Sequence, residues 1–371
     1  MNLKERAVWS LSSALSLVLL GVLIILWVDK NQREIDPTQL PTETSVKEYL
    51  DNNWPSADLL IKTGIFIQSL RFVGASDVHL SGYIWQHYED GLHDHVKPAP
   101  DEVGFVMPES VDAAGGGVRE AYRIRQGNAE VIGWYFEQTV RQLFDYTEYP
   151  FDHKTVWVRL WPKDFSENIV LVPDLGSYEA TGPEDVFGIE ELIVLGTYER
   201  ENTFFDFKPA DYDTNFGIKS YAGQQSFPEL HYNVVIKRKF KNAFIVNMIP
   251  LFVVMVLLFG AVMMVTKRDS VAKRHGASTS SVIGTCSVLF FVVLLAHVQL
   301  REGFAGSPVV YLEYFYFMMY FLLLCVAINT YLFALSDHWL LNLIHYRDNL
   351  LPKAAYWPAV LMAMVVITFV T

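Results

Sequence analysis

The sequence predicts a membrane protein built from an all-β sandwich followed by a four-helix transmembrane bundle, with an additional transmembrane helix at the N-terminus. Three observations lead there. Five apolar runs each approach the roughly 20 residues a helix needs to cross a bilayer core. Between the first and second runs lies a polar stretch of about 210 residues, enough for one domain. Finally, the 371 residues are 51% hydrophobic and 19% charged, too apolar for an ordinary soluble enzyme and too charged for a wholly embedded chain.

The runs are WSLSSALSLVLLGVLIILWV (9–28), AFIVNMIPLFVVMVLLFGAVMMV (243–265), SVIGTCSVLFFVVLLAHVQL (281–300), VVYLEYFYFMMYFLLLCVAINTYLFAL (309–335) and AYWPAVLMAMVVITFV (355–370). The last is the shortest, and Pro358 near its start weakens it as a helix. Lys4 and Arg6 precede the first run. Lys267, Arg268, Lys273 and Arg274 fill the loop after the second, and Arg347 and Lys353 precede the last. Under the positive-inside rule these three places are cytoplasmic, which puts the polar domain and the C-terminus outside. Five crossings satisfy that assignment.

Residues 1–29 read as an uncleaved anchor or as a signal peptide. The apolar core is longer than a typical signal core, and WVDKNQ offers no small-x-small cleavage site, which favours the anchor. The net charge of −12 argues against nucleic acid as a partner and permits attraction of cations. The two cysteines, Cys286 and Cys325, both fall inside predicted spans. The outer domain therefore has no disulfide, and no paired-cysteine metal site exists. No N-x-S/T acceptor is present either. Both facts point toward a bacterial inner-membrane protein with its β domain in the periplasm.

Residues 30–56 carry three prolines and read as a linker ending in a short helix around SVKEYLDNN. Strand signals fill residues 57–240. LLIKTGIFIQSLRFVG, VHLSGYIWQHY, AYRIRQG, VIGWYFEQTVRQLF, KTVWVRLWP, NIVLVPDL, ELIVLGTYE, TFFDFKPAD and LHYNVVIKRKF are β-branched and aromatic, and Gly, Pro and Asp turns separate them. That spacing suggests an immunoglobulin-like sandwich of about ten strands. Residues 241–371 hold the four remaining helices. There is no internal repeat.

Several stretches together resemble the pentameric ligand-gated ion channels, in their prokaryotic branch without the disulfide. YPFD (149–152) is similar to that family's signature FPFD loop, and ENIVLVPDL with EDVFGIEELIV resembles the strands that follow it. LHYNVVIKRKFKNAFIVNMIP resembles the junction between the last strand and the first channel helix, and GSPVVYLEYFYFMMYFLLL the linker and third channel helix. The likeness covers roughly residues 57–371. The N-terminal span departs from the family pattern, where a signal peptide or an added domain stands.

The resemblance implies a coupling interface. In such channels the Pro-Phe-Asp loop faces the outer ends of the helices. Pro150 pre-sets its own backbone, and Phe151 can anchor the turn in the core. Asp152 is then placed to pair with Arg238, which enters the first channel helix. Asp77 shares that arginine in this reading, and the linker REGFAGSP, ending at Pro308, belongs to the same junction. The plainer reading is a turn aspartate capping its own loop and an arginine at the membrane edge.

The resemblance also implies ligand sites between subunits, lined by aromatics. The two glycines of FGIKSYAGQQSFPEL, before the last strand, make it mobile, so that Tyr221 and Phe227 within it could close over a ligand; Tyr178 stands in DLGSYEATG, and Trp85 and His87 share a face of YIWQHY. Aromatic walls suit an amine; Trp85 reads equally as sandwich core. The acidic, histidine-rich HYEDGLHDHV has the donor types for Zn²⁺ or Ca²⁺, with His93, Asp94 and His95 as candidates, but its spacing fits no closed zinc pattern and a solvated loop explains it as well. No cofactor is implied. Neither a Ser-His-Asp trio, a phosphate loop nor a helical HExxH is present, so no enzyme is expected.

The pore helix should run from about Ser280 to Arg301, with Ser281, Thr285, Val288, Val292, Leu295 and Gln299 on one face as a gate that conducts only when wetted. A packed membrane helix would read similarly. Pro250 frees a carbonyl in the first channel helix and allows a bend. Together these readings lead to a homopentameric ligand-gated channel in contact with lipid, gated by an unidentified small molecule, proton or ion. Two alternatives share the residues: a non-conducting periplasmic sensor or assembly subunit of the same fold, and a metal-binding periplasmic enzyme.

Overall fold

β-Branched and aromatic runs broken by Gly, Pro and Asp form strands because the stiff side chains fit a pleated surface and the breakers fit turns. The computed structural model describes residues 3–32, 35–55, 59–94, 104–112, 117–164, 168–219, 221, 225–267, 278–304, 306–335 and 342–371. Among these it has nine strands: β1 (Leu59–Phe72), β2 (Asp77–Glu89), β3 (Phe105–Val106), β4 (Val118–Gln126), β5 (Ala129–Arg141), β6 (His153–Pro162), β7 (Ile169–Pro173), β8 (Tyr198–Ala210) and β9 (Phe227–Arg238). One sheet has the order β4-β5-β2-β1-β7, the other β3-β6-β9-β8. All pairings are antiparallel except β1 with β7, so the first sheet is mixed.

Among the described residues five helices are long and apolar enough to cross a membrane: Leu3–Lys30, Phe240–Met264, Thr279–Glu302, Tyr311–Ala334 and Leu350–Val370, here the first to fifth spans. The chain is thus a multi-pass membrane protein with a β domain. The second span contains a π turn at Phe244–Met248, where Ile249 N–H bonds back to the Phe244 carbonyl. Pro250 follows directly. A proline has no N–H and crowds the carbonyl four residues back, so a widened turn beside it has an evident cause.

The chain divides into two compact units. One comprises Met1–Arg33, Asp145–Asp152 and Lys239–Thr371; the other comprises Glu34–Phe144 and His153–Arg238. The helical unit therefore contains eight residues, Asp145–Asp152, of the connection between β5 and β6, and the β unit contains the linker with its short helix, Glu43–Asn53.

Within the β unit, Phe72 of β1 in one sheet packs 5.2 Å from Tyr198 of β8 in the other, and Phe205 of β8 lies 5.0 Å from Tyr232, its partner on β9. The first ten residues of β9 are all buried, on both faces. Part of that cover comes from the short helix. Leu40 N–H donates to the Phe205 carbonyl at 2.9 Å, Tyr49 packs 5.0 Å from Phe207, and Trp54 meets Phe227 edge-on at 5.6 Å. Edge strand β8 is thereby shielded. Phe227 is a buried strand residue held against Trp54, not a loop aromatic poised to close over a ligand.

Candidate functional site

Two side-chain clusters in the β unit and one in the helical unit gather the chemistry. The first centres on Asp174, just past β7. Its Oδ2 accepts from Trp85 Nε1 at 2.8 Å, His87 Nε2 at 3.1 Å and Ser177 Oγ at 2.5 Å. Trp85 reaches it because its cross-strand partner is Gly64: a Cβ there would lie 2.2 Å from the indole. Tyr178 packs 5.8 Å from Trp85, and its hydroxyl accepts from Ile65 N–H at 2.8 Å and donates to Ile65 O at 2.9 Å. Three of the sequence candidates, Trp85, His87 and Tyr178, thus come together, each held by the protein's own groups. Ser177 and His87 bond the same carboxylate oxygen and not each other, an anchoring arrangement unlike a nucleophile with its base.

Burial alone would raise the Asp174 carboxyl, but hydrogen bonds from His87, Ser177 and Trp85 outweigh it and bring it down to about 2. A depressed carboxyl stabilises the fold above its unfolded value near 4 and loses that contribution as pH falls toward the folded one. Asp174→Ala should lower stability at neutral pH by about 1–3 kcal/mol, since the charged acceptor of three donors is lost. Thermal midpoints of variant and parent should converge as pH falls from 4 toward 2; a constant gap would refute the assignment.

The second cluster was not singled out in the sequence. Glu229 of β9 is buried and accepts from Arg159 Nη1 at 3.0 Å and Trp161 Nε1 at 2.5 Å, and also from the Tyr212 hydroxyl. Arg159 also pairs with Glu109, and its guanidinium lies 5.4 Å from the Trp161 ring centroid. Phe216 stands edge-on to Trp161 at 6.1 Å, to Tyr212 at 5.7 Å and to Tyr221 at 5.4 Å. Phe216 has φ +51°, a left-handed conformation uncommon for a bulky residue, and is 44% exposed. Burial pushes the Glu109 carboxyl up despite the pull of Arg159, and burial followed by the bond to Glu229 pushes the Tyr212 phenol up. With two carboxylates, one guanidinium and four aromatic rings, the set suits a positively charged group. Tyr221 is the one sequence candidate in it. The signal that could have found Tyr212 and Phe216 is their aromatic spacing with Tyr221 in the turn-rich stretch between β8 and β9.

The third cluster is the loop Asp145–Asp152 inside the helical unit. Thr147 O accepts from Tyr311 N–H at 2.6 Å, and Asn247 Nδ2 donates to the Tyr149 hydroxyl at 3.0 Å. Tyr149 packs 4.6 Å from Phe304, and Phe151 stacks 5.1 Å from Phe240 and lies 5.8 Å from Tyr311. Phe151 thus anchors on helix residues rather than in the sheet core. The Tyr149–Pro150 peptide is cis, and Pro150 and Asp152 are buried. Arg238, in the β unit, donates to the Tyr198 hydroxyl at 2.6 Å, with its guanidinium 4.6 Å from that ring's centroid. Asp77 does not share Arg238: the β2–β5 register sets it opposite Arg141, with which it makes two hydrogen bonds of 2.8 and 3.1 Å.

In the third span Val282, Cys286, Leu289, Val293 and Leu300 form the buried stripe. Ser281, Thr285, Val288, Val292, Leu295 and Gln299 are all exposed in the single chain. Ser281 is occupied as well: its Oγ accepts from Ser278 N–H at 3.1 Å and donates to the Ser278 carbonyl at 2.9 Å in a capping box, one residue inside the predicted start. At the other end Glu313, buried in the fourth span, takes Arg301 at 3.2 Å and His297 at 3.3 Å, while Arg301 also donates to the carbonyls of Ser307 (2.7 Å) and Pro308 (3.0 Å). A lone carboxylate within YLEYF was the available signal for this knot, since an ionisable group there needs a partner.

His93 is buried, accepts from Glu89 N–H at 2.7 Å through Nδ1 and so carries its proton on Nε2, 3.3 Å from the Leu60 carbonyl. Neither nitrogen is presented to a metal. Asp94 is exposed, and His95 lies outside the described residues. Among the described residues no group of three metal-ligating side chains is assembled. No protein-family model matches the chain, and a search of curated proteins returned no match.

Proposed function

We propose that this chain is a subunit of a homopentameric ligand-gated ion channel of the bacterial inner membrane, with an immunoglobulin-like sandwich joined to a four-helix channel bundle. The observation that carries the proposal is the loop Asp145–Asp152. It connects two strands of the β unit, yet its buried rings are seated among Phe240 and Tyr311 of the helices and Phe304, just past the third span. A strand connector spent on packing helices is what a coupling element requires, and YPFD is the motif that resembles the family's signature. In this reading the acid-lined aromatic cluster at Glu109, Arg159, Trp161, Tyr212, Phe216, Tyr221 and Glu229 takes a cationic ligand. A ligand there shifts gating only by its differential affinity for two states. Pairing of Asp152 with Arg238, which the family resemblance implies, would transmit the shift, and the exposed face of the third span would line the pore. The protein is not an enzyme in this account, and the engaged ring of His93 counts against the metal-dependent alternative.

Planar bilayers holding the purified full chain test the reading. Unitary current steps are expected, with amplitude altered by Thr285→Ala or Val292→Ser. Asp152→Ala and Arg238→Ala should insert but fail to gate. Persistent silence of the parent chain across pH and primary amines would reject conduction and leave the non-conducting sensor; normal gating in both the Asp152 and Arg238 variants would reject the coupling tie.

A further inference from the structure

The first span is held at both ends within the helical unit. Near its start Ser12 Oγ donates to the Ala354 carbonyl at 2.5 Å; near its end Trp27 Nε1 donates to the Tyr311 hydroxyl at 2.8 Å. Thr368 Oγ1 gives its proton to the Met364 carbonyl at 2.8 Å, so Tyr311, 2.7 Å away, is the donor to Thr368. Every donor in this relay has an acceptor within the helical unit. A leader destined for removal needs no such partners.

The same turn reaches the loop. Trp27 lies 6.2 Å from Phe151 and 6.5 Å from Phe240. Lys30 Nζ is 3.6 Å from Glu148 Oε1 and 5.5 Å from the Tyr311 ring centroid. Phe151 therefore has three ring neighbours, Phe240 from the second span, Tyr311 from the fourth and Trp27 from the first.

We infer that the first span is a retained fifth helix of the membrane unit and that Trp27 is the positioning residue for the loop carrying Asp152. Its consequence for gating rests on the channel reading; the positioning itself does not. Intact mass of the full chain extracted from membranes should include residues 1–30, and a mass starting beyond Lys30 would overturn the inference. Hydrogen exchange of the reconstituted chain supplies the second arm. Trp27→Ala should speed exchange of the Tyr149 and Phe151 amides about tenfold, with β6 amides unchanged. Trp27→Phe, which keeps a ring against Phe151 and Phe240, should return exchange to within about threefold of the parent. If Trp27→Ala fails to insert, Lys30→Gln is compared, with faster exchange at Phe151 expected. Unchanged exchange in these variants, or no rescue by phenylalanine, would overturn the positioning role. Silence of the parent chain in bilayers would remove the channel reading and leave the exchange result standing.

Discussion

Arg159→Met should destabilise the β unit by about 3–5 kcal/mol, the cost typical of removing one partner from a buried ion pair. The reason is local. Arg159 sits between Glu109 and Glu229, and Glu229 is only 2% exposed. Without the guanidinium, two carboxylates face each other with Trp161 and Tyr212 the remaining donors to Glu229. The thermal midpoint of the full chain in detergent should fall by about 10 °C. Adding Glu229→Gln removes one stranded charge while keeping an acceptor for Trp161 and Tyr212, so the double variant should be more stable than Arg159→Met alone. Arg141→Met breaks the exposed pair with Asp77 and should leave the midpoint near the parent value. Equal, small losses in both arginine variants would show that the Glu109–Arg159–Glu229 triad is not structural.

The second large effect is acid sensitivity at His231. Burial first, then Arg159 and Lys208, bring its pKa down from about 6.5 to about 3. Its Nε2 is buried with no hydrogen-bond partner among the described residues, and its ring lies 5.3 Å from Trp157. Between those two values the unfolded chain holds a proton at this residue and the folded chain does not. Stability therefore rises with pH across that window, and acidification costs about 1.4 kcal/mol per unit, or roughly 3 kcal/mol by pH 4. Glu109, raised by burial, works in the opposite direction, binding its proton earlier in the folded state. His231→Phe should flatten the fall in thermal midpoint between pH 6.5 and 4. Parallel profiles for variant and parent would contradict the assignment.

The five spans were legible because long apolar runs are a one-dimensional signal, and most strands because β-branched and aromatic runs alternate with turn residues; ELIVLGTYE read as a strand, whereas the chain there turns and a strand begins only at Tyr198. What escaped was anything joined across long sequence separations. Asp174, in VPDL, reads as a turn aspartate; only the fold brings Trp85 and His87 to it from β2. Arg159 and Glu229 are ordinary polar positions of strands until β6 and β9 pair. Phe227 was misread because proximity to a glycine-containing loop suggested mobility, whereas β9 extends through it and Trp54 covers it. Asp77 was matched to the wrong arginine because register decides cross-strand neighbours, and register is not local. Phe151 was expected to find a core, and the helices supply it.

The subunit count of the full chain, extracted from membranes into lipid nanodiscs and imaged as single particles, tests the central claim most directly. The account predicts five-fold rings with the third spans innermost, Val292 and Leu295 toward the axis. Monomers, or rings of any other symmetry, would contradict it.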